Sequence, residues 1–200
     1  MSEKKNLKEL EEKMLADKSL PLNEGTLVFG EGNPKADVLF IGEAPGFYED
    51  REGRPFVGRA GKLLDKLLEE TGSKREDCYI TNVVKRRPPK NRDPLPEEIK
   101  AYKPYLEKQI EIISPKVIVP LGRYAMNHFL DDGKISQDQG KIFWWRNILL
   151  IPLYHPAAAL RRASLIEDIK NGLTKLPKLI SGYEDLLKKR LEKKKLPNEE

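Results

Sequence analysis

The chain has 200 residues, of which 38% are hydrophobic and 34% charged, so one domain with short appendages is expected. Its single cysteine excludes an internal disulfide, and the absence of an apolar signal core or a run of about 18 apolar residues predicts an intracellular protein without a membrane span. The net charge of +5 favours a polyanionic partner, although the run KKRLEKKK near the end, typical of a solvated helix face, supplies much of it.

Helical and strand patterns alternate along the chain. An amphipathic helix over residues 7–15 comes first, and short apolar runs predict buried strands at 38–41, 79–83, 117–121 and 149–153. Helical spacing of apolar residues covers 59–70, 96–113, 123–130, 163–176 and 183–194, and residues 134–148 predict a hairpin. This order indicates a single-domain three-layer α/β/α sandwich around a central four-stranded, mostly parallel sheet. We expect an N-terminal helix in 1–19, the domain itself in 20–180 and a basic C-terminal helix or tail in 181–200.

Polar, basic or glycine-rich segments follow each predicted strand. A glycine- and proline-containing turn at 42–46 follows the first, Asn82 ends the second, and His155-Pro156 follows the fourth. Ligands bind at the carboxyl ends of strands in open parallel sheets, so these groups converge on one edge. The turn has neither the G-x-G-x-x-G spacing of a dinucleotide site nor a P-loop lysine, so a nucleotide cofactor has no support.

Three side chains of this edge have the chemistry to hold a planar ring. The amide of Asn82 offers an acceptor and two donors for an amide-like ring, or it simply closes its strand. His155 is held in extended backbone by Pro156 and is either a donor to a ligand or a structural histidine. Phe56, in a basic loop, either anchors the core or stacks on a base.

Basic residues cluster at the same edge. The proline-stiffened loop 86–94 suits contacts to phosphates, or it is merely solvated. Leu160, beside two arginines, either wedges into a base step or belongs to the core. The candidate nucleic-acid contacts are Arg59, Lys85, Arg87, Lys90, Arg92, Leu160, Arg161 and Arg162.

The segments GEAPG…ED…GRPFVGRAG, YITNVVK.RPP.NRDP.PEEI and LYHPAA.LR resemble the family 4 uracil-DNA glycosylases over about residues 20–176. The resemblance implies a uracil-DNA glycosylase-like fold and a base-excision-repair enzyme. Such an enzyme hydrolyses the N-glycosidic bond of deoxyuridine in DNA, releases uracil and leaves an abasic site.

The resemblance also implies roles for individual residues. Glu43 would face the sugar and the attacking water, and His155 would donate to uracil O2 as charge builds on the leaving base. Phe56 would stack on the flipped uracil, Asn82 would bond its Watson–Crick edge, and Glu49 would crowd the 5-position against thymine. Gly42 and Asn91 complete the expected substrate-binding residues.

One departure from the family concerns a cofactor. Family 4 enzymes typically hold a four-iron, four-sulfur cluster on four cysteines, whereas this chain has one, so the sequence predicts neither this cluster nor another cofactor. We expect Leu20 and Tyr102 to pack in the cluster's place and Asp17 to pair with Arg86. Those four residues occupy the ligand positions of the resemblance.

Other functions remain open at this point. A widened pocket would accept hypoxanthine or xanthine, and loss of catalysis would leave a DNA-damage-binding protein. A generic phosphate-binding α/β domain explains the basic edge but not the joint presence of the three segments. The expected partner is uracil-containing DNA, bound by a monomer.

Overall fold

The computed structural model describes residues 2–195, with side chains to residue 193. The last five residues of the predicted C-terminal tail therefore lie outside the described chain. Within the described residues, one mixed sheet has six strands in the order β1-β3-β2-β4-β6-β5. The strands are β1 Glu31–Gly32, β2 Val38–Gly42, β3 Tyr79–Asn82, β4 Val117–Pro120, β5 Phe143–Trp145 and β6 Ile148–Leu150. None of the helices in 2–195 has the length and apolarity needed to cross a bilayer.

The four predicted strands form the centre of this sheet. β3, β2, β4 and β6 pair in parallel, and an isolated bridge from Leu121 to Leu153 extends the last pairing. β2, β3 and β4 are buried at every position, as their nearly continuous apolar sequences predict. β1 and β5 add antiparallel edges. The sequence analysis did not predict β1, because two residues carry no alternating pattern.

Helices cover both faces of the sheet, which confirms the three-layer α/β/α class. One apolar cluster joins the sheet to α3, α8 and α9, and the other joins it to α1, α4 and α5. The helices are α1 Glu3–Ala16, α2 Phe47–Glu52, α3 Arg59–Glu70, α4 Pro96–Ile113, α5 Arg123–Asn127, α6 Ile135–Asp138, α7 Pro156–Ala159, α8 Leu165–Leu173, α9 Leu176–Ser181 and α10 Tyr183–Lys195.

The start and end of α4 show why its predicted bounds match the structure. Pro96 occupies its first position, where the missing N–H is harmless. The Glu98 carboxylate accepts the Leu95 N–H at 2.8 Å, and so satisfies a backbone donor at the start of the helix. Ser114, with φ of 50°, turns the chain out of the helix.

The segment after α1 packs on α4. Leu20 and Tyr102 are buried in the same apolar cluster, and the Tyr102 hydroxyl donates to the Pro21 carbonyl at 2.7 Å. The packing expected of these two side chains is therefore present.

The ion pair predicted between Asp17 and Arg86 does not form, so that prediction is wrong. Asp17 instead accepts from the Tyr105 hydroxyl at 2.6 Å, and Arg86 donates to the Asn23 carbonyl at 3.0 Å. Each charged group is thus held by a neutral hydrogen-bond partner instead of by the other.

The predicted hairpin is β5 and β6, and β5 holds both tryptophans of the chain. Arg146 lies over the Trp145 ring at 4.2 Å, and Arg190 of α10 lies over the Trp144 ring at 4.7 Å. The C-terminal helix is thus docked on the edge of the sheet.

Candidate active site

A cavity of about 200 Å³ lies where β2, β3 and the segment after β6 end. Its walls include the side chains of Glu43, Glu49, Phe56, Asn82, Asn91 and His155. Residues far apart in sequence therefore share one hollow, because parallel strands end at the same edge of a sheet.

The ring of Phe56 forms one wall of this cavity. It lies beside the His155 ring, with centroids 5.5 Å apart and planes inclined by 28°. A side-chain carbon at Gly42 would lie 2.6 Å from two Phe56 ring carbons, so only glycine fits beneath the ring. Gly42 thus acts by leaving space.

The backbone of Phe56 is strained and held from outside the loop. Its φ of 53° is left-handed, a conformation that costs about 1–3 kcal/mol for such a residue. Arg75 donates to the Pro55 carbonyl at 2.6 Å and to the Phe56 carbonyl at 3.2 Å. Glu31 and Asp65 accept from the same guanidinium, each at 2.8 Å, which fixes its position. Arg75 was not predicted from the sequence, because it lies 19 residues beyond Phe56.

Asn82 is buried, with 2% of its surface exposed, and borders the same cavity. No described residue donates to its Oδ1 atom. A carbon added to Gly42 would lie 2.4 Å from that oxygen, so the space beside it is kept open. A buried acceptor without a partner costs about 1–3 kcal/mol, and a ligand N–H would satisfy it.

The geometry of His155 fixes which ring nitrogen carries the hydrogen. Its Nδ1 accepts the backbone N–H of Ala157 at 3.1 Å. Burial lowers the pKa of His155 to about 4, although Glu49 opposes the shift, so the ring is neutral at pH 7. A neutral ring that accepts at Nδ1 carries its hydrogen on Nε2, which leaves a donor for a ligand.

Glu43 has an unusual acidity for a carboxyl group. Burial raises its pKa to about 7, repulsion from Asp93 adds to the shift, and Arg123 opposes it. The group is therefore divided between protonated and ionised forms near neutral pH. A carboxyl group of this acidity is suited to exchange a proton with a reacting molecule.

Glu49 holds the loop that carries Phe56. Its Oε1 accepts the N–H of Val57 at 3.0 Å and that of Gly58 at 2.8 Å, at the start of α3. A carboxylate is favourable there because the helix dipole is positive at that end. No local pattern in the sequence predicts this structural role of Glu49.

The predicted nucleic-acid contacts differ in their surroundings. Arg87 donates to the Asn91 amide oxygen at 2.6 Å, which fixes its position. Arg92 pairs with the Glu98 carboxylate at 2.6 Å, which partly neutralises its charge. The structure leaves the others open to solvent, namely Arg59, Lys90, Leu160, Arg161 and Arg162.

Lys85 is not at the surface, so its prediction as a nucleic-acid contact is wrong. It is fully buried and donates to the Thr81 hydroxyl and the Gln109 amide oxygen. Burial holds its pKa well below the usual range, which indicates a neutral amine. The burial of Lys85 could not be predicted from the basic run around it, because a partner such as Gln109 lies elsewhere in the sequence.

A larger hollow, of about 1110 Å³, lies between α1 and α4. Its walls are the solvent-facing sides of two amphipathic helices, and no strand end reaches it. Size alone would favour this hollow, but the smaller cavity holds the perturbed carboxyl group and the unpaired acceptor. The chemistry therefore points to the smaller one.

Comparison with known proteins is consistent with this geometry. Residues 29–176 match the family described as the uracil DNA glycosylase superfamily. The type-4 uracil-DNA glycosylase of Sulfurisphaera tokodaii is 47% identical over 160 residues, which cover 75% of this chain and 73% of the relative. That of Archaeoglobus fulgidus is 48% identical, over 75% of this chain and 80% of the relative. For Thermotoga maritima the identity is 48%, over 76% and 84%.

These relatives correct the prediction that the protein has no cofactor. Type-4 uracil-DNA glycosylases are known as iron–sulfur enzymes, so the similarity implies a cluster. The described residues do not fit one. Cys78 is the chain's single cysteine, burial raises its pKa to about 12, and residues 2–195 hold no group of three or more potential metal ligands.

Proposed function

The chain belongs to the uracil-DNA glycosylase superfamily, and from that membership we propose that it is a type-4 uracil-DNA glycosylase. It hydrolyses the N-glycosidic bond of deoxyuridine in DNA, releases uracil and leaves an abasic site for base excision repair. One observation carries this proposal, namely the meeting of an aromatic ring, an unpaired amide oxygen and an imidazole donor at one cavity. The target base leaves the helix to reach them.

Recognition rests on the amide of Asn82. Uracil presents an N3–H donor beside the O4 acceptor, and these match the unpaired Oδ1 and the amide N–H groups. Cytosine reverses both groups, so with the amide in this orientation it pairs with neither atom.

The leaving base is stabilised by His155. As the C1′–N1 bond breaks, its electron pair moves onto uracil and negative charge gathers on O2. The Nε2–H of a neutral His155 donates to that oxygen, and is worth about 3 kcal/mol if it acts like an oxyanion-hole donor. A fixed donor costs no rearrangement during the reaction.

Glu43 is the general base for the attacking water. The water oxygen bonds to C1′ and one of its protons passes to the Glu43 carboxylate. Uracil leaves with the bonding electrons and takes up a proton on release. A pKa of about 7 suits this exchange, because the ionised form is present at neutral pH and accepts a proton readily.

The remaining pocket residues shape the site. Phe56 stacks on the uracil ring, and Glu49 lies towards C5 and crowds out the methyl group of thymine. Asn91, fixed by its bond to Arg87, closes the opposite side. These roles depend as much on the loop that carries Phe56, which Arg75 and Glu49 fix by hydrogen bonds, as on the side chains themselves.

The DNA backbone meets the basic rim. Arg59, Lys90, Arg161 and Arg162 contact phosphates, with smaller contributions from Arg87 and Arg92 because each already has a partner. Leu160, 41% exposed, enters the space that the extruded base vacates. The protein acts as an intracellular monomer, with residues 20–180 as the catalytic domain and the flanking helices as appendages.

A single assay tests the activity. The protein is incubated with a labelled oligonucleotide that contains one uracil, treated with alkali and analysed on a denaturing gel. We expect a cleaved product, and none when cytosine or thymine replaces uracil. Binding without cleavage would instead identify a damage-binding protein, and cleavage at hypoxanthine alone would reassign the substrate.

A further inference from the structure

Two aromatic side chains stand in solvent directly beside the cavity. Phe47 and Tyr48 are 50% and 54% exposed, and they lie in α2 between Gly46 and Glu49, both of which line the cavity. Their rings meet edge to face, with centroids 5.4 Å apart. Neither side chain contributes to the two apolar clusters of the fold, so the core does not explain them.

A cation connects this pair to the cavity wall. The Arg87 guanidinium lies over the Phe47 ring at 5.2 Å, and the same side chain donates to Asn91 of the wall. Aromatic ring, guanidinium and amide thus form one continuous surface that leads out of the cavity. An arginine on a ring orders it without covering it, since half of the Phe47 side chain remains exposed.

Positive charge continues on the far side of Tyr48. A hollow of about 600 Å³ there is lined by Tyr48, Arg59 and Lys62, and neither of these cations forms an ion pair with another described residue. The carboxylates of Glu52 and Asp65 also line it, and Asp65 pairs with Arg75. Arg54 and Arg75 of the same hollow are already bound by carboxylates. The exposed rings therefore lie between a base-sized cavity and two unpaired cations.

We propose that Phe47, with Tyr48 and Arg87, is a stacking subsite for the unpaired base next to the extruded uracil in single-stranded DNA. The inference rests on the proposed function. In a duplex the base next to the extruded uracil stays paired, and Leu160 covers the face that extrusion exposes, whereas a base in a single strand is free to turn onto an aromatic ring. Exposed aromatics beside basic residues are how sequence-independent single-strand binding works.

The charge around the rings argues against a protein partner. Arg51 and Glu52 follow the two aromatic side chains in α2, and Arg87 lies over the Phe47 ring, whereas the centre of a protein interface is depleted of charge. A phosphate chain with bases suits such a surface better, because its charge meets the cations while a base meets the ring.

The test compares single and double strands with matched variants. Binding of a uracil-free, single-stranded dT 15-mer is measured by fluorescence anisotropy, and kcat/KM is measured for one uracil in a single strand and in a duplex. Phe47→Ala should raise the Kd for the dT 15-mer about tenfold or more. It should lower the single-strand kcat/KM similarly and change the duplex value less than about twofold. Phe47→Trp should stay near wild type, as should Leu15→Ala, an exposed apolar side chain on α1.

Each outcome decides one question. Equal losses on both substrates, or no loss in dT binding, would overturn the subsite, and the second result is the one expected of a protein-binding surface. If the wild type released uracil from neither substrate while Phe47→Ala still weakened dT binding, the subsite would stand and the proposed function would fail. Melting temperatures check that all three variants are folded.

Discussion

Two buried side-chain amides, Asn82 and Gln109, are placed in opposite ways. The Gln109 amide is fully buried, donates to the Phe29 carbonyl at 2.9 Å and accepts from Lys85. The Asn82 amide is almost as buried, yet no described group donates to its oxygen. Gln109 completes a polar network inside the fold, whereas Asn82 leaves one hydrogen-bond acceptor, its Oδ1, without a partner at the cavity.

An unpaired atom alone does not mark a site. His128 Nε2 and Arg86 Nε also lack partners among the described residues, yet neither borders the cavity of Asn82. What distinguishes Asn82 is the combination of an unpaired acceptor with an open space beside it. That combination separates a group kept for a ligand from one that the fold has merely left imperfect.

The largest expected effect separates the two histidines of the chain. His155→Ala should lower kcat for uracil excision about 100- to 1000-fold, because it removes the donor to the leaving base. His128→Ala is the matched control, and it should retain activity at temperatures where it is folded. Single-turnover excision assays measure both, with binding to uracil-free duplex as a reference. Similar losses in the two variants would remove His155 from the reaction.

The two amides should differ in what their loss changes. Asn82→Ala should lower kcat/KM about 100-fold or more, while the free energy of unfolding stays within about 1 kcal/mol of wild type. Gln109→Ala should destabilise by about 2–4 kcal/mol, because it leaves a cavity and the Phe29 carbonyl and Lys85 unpaired, with kcat retained. Urea unfolding and excision kinetics measure the two properties. Equal losses of stability in the two variants would show that Asn82 and Gln109 do not differ in the way proposed.

Glu43 should show a trade between stability and activity. The wild-type carboxyl has a folded pKa of about 7 against an ordinary 4.5, so the free energy of unfolding should fall as pH rises between these values. Excision should rise over pH 6 to 8 as the group ionises. In Glu43→Gln the rise of the excision rate between pH 6 and 8 should disappear, and kcat should fall about 100-fold. The variant should also be more stable than wild type at pH 8. An unchanged pH profile in the variant would assign the ionisation to another group.

The last effect is on stability alone and concerns the buried network of Lys85, Thr81 and Gln109. The folded protein holds the pKa of Lys85 far below its ordinary 10.5, so the unfolded chain binds the extra proton and stability should rise with pH. One such proton contributes up to about 1.4 kcal/mol per pH unit. Lys85→Met should flatten the curve of unfolding free energy relative to wild type between pH 7 and 9.5. A parallel curve would indicate a charged Lys85.

The sequence predicted what local patterns control. α3 and α4 have the predicted bounds because their apolar spacing and the Pro96 start are local signals. Lys85 was misassigned and Arg75 missed for the opposite reason. The partners that bury Lys85 include Gln109, 24 residues on, and Arg75 holds a carbonyl 20 residues back, so only the folded chain brings these groups together. The residue roles at the cavity stay predictions until the variants are assayed.

Both tryptophans lie on the edge strand β5, under arginines, and neither lines the cavity. Their emission is therefore a local signal of the hairpin and of the docked C-terminal helix. Stopped-flow measurements of tryptophan fluorescence would therefore report detachment of β5 from the sheet and not the entry of a base into the cavity. A fluorescent nucleotide analogue would be needed to observe base entry.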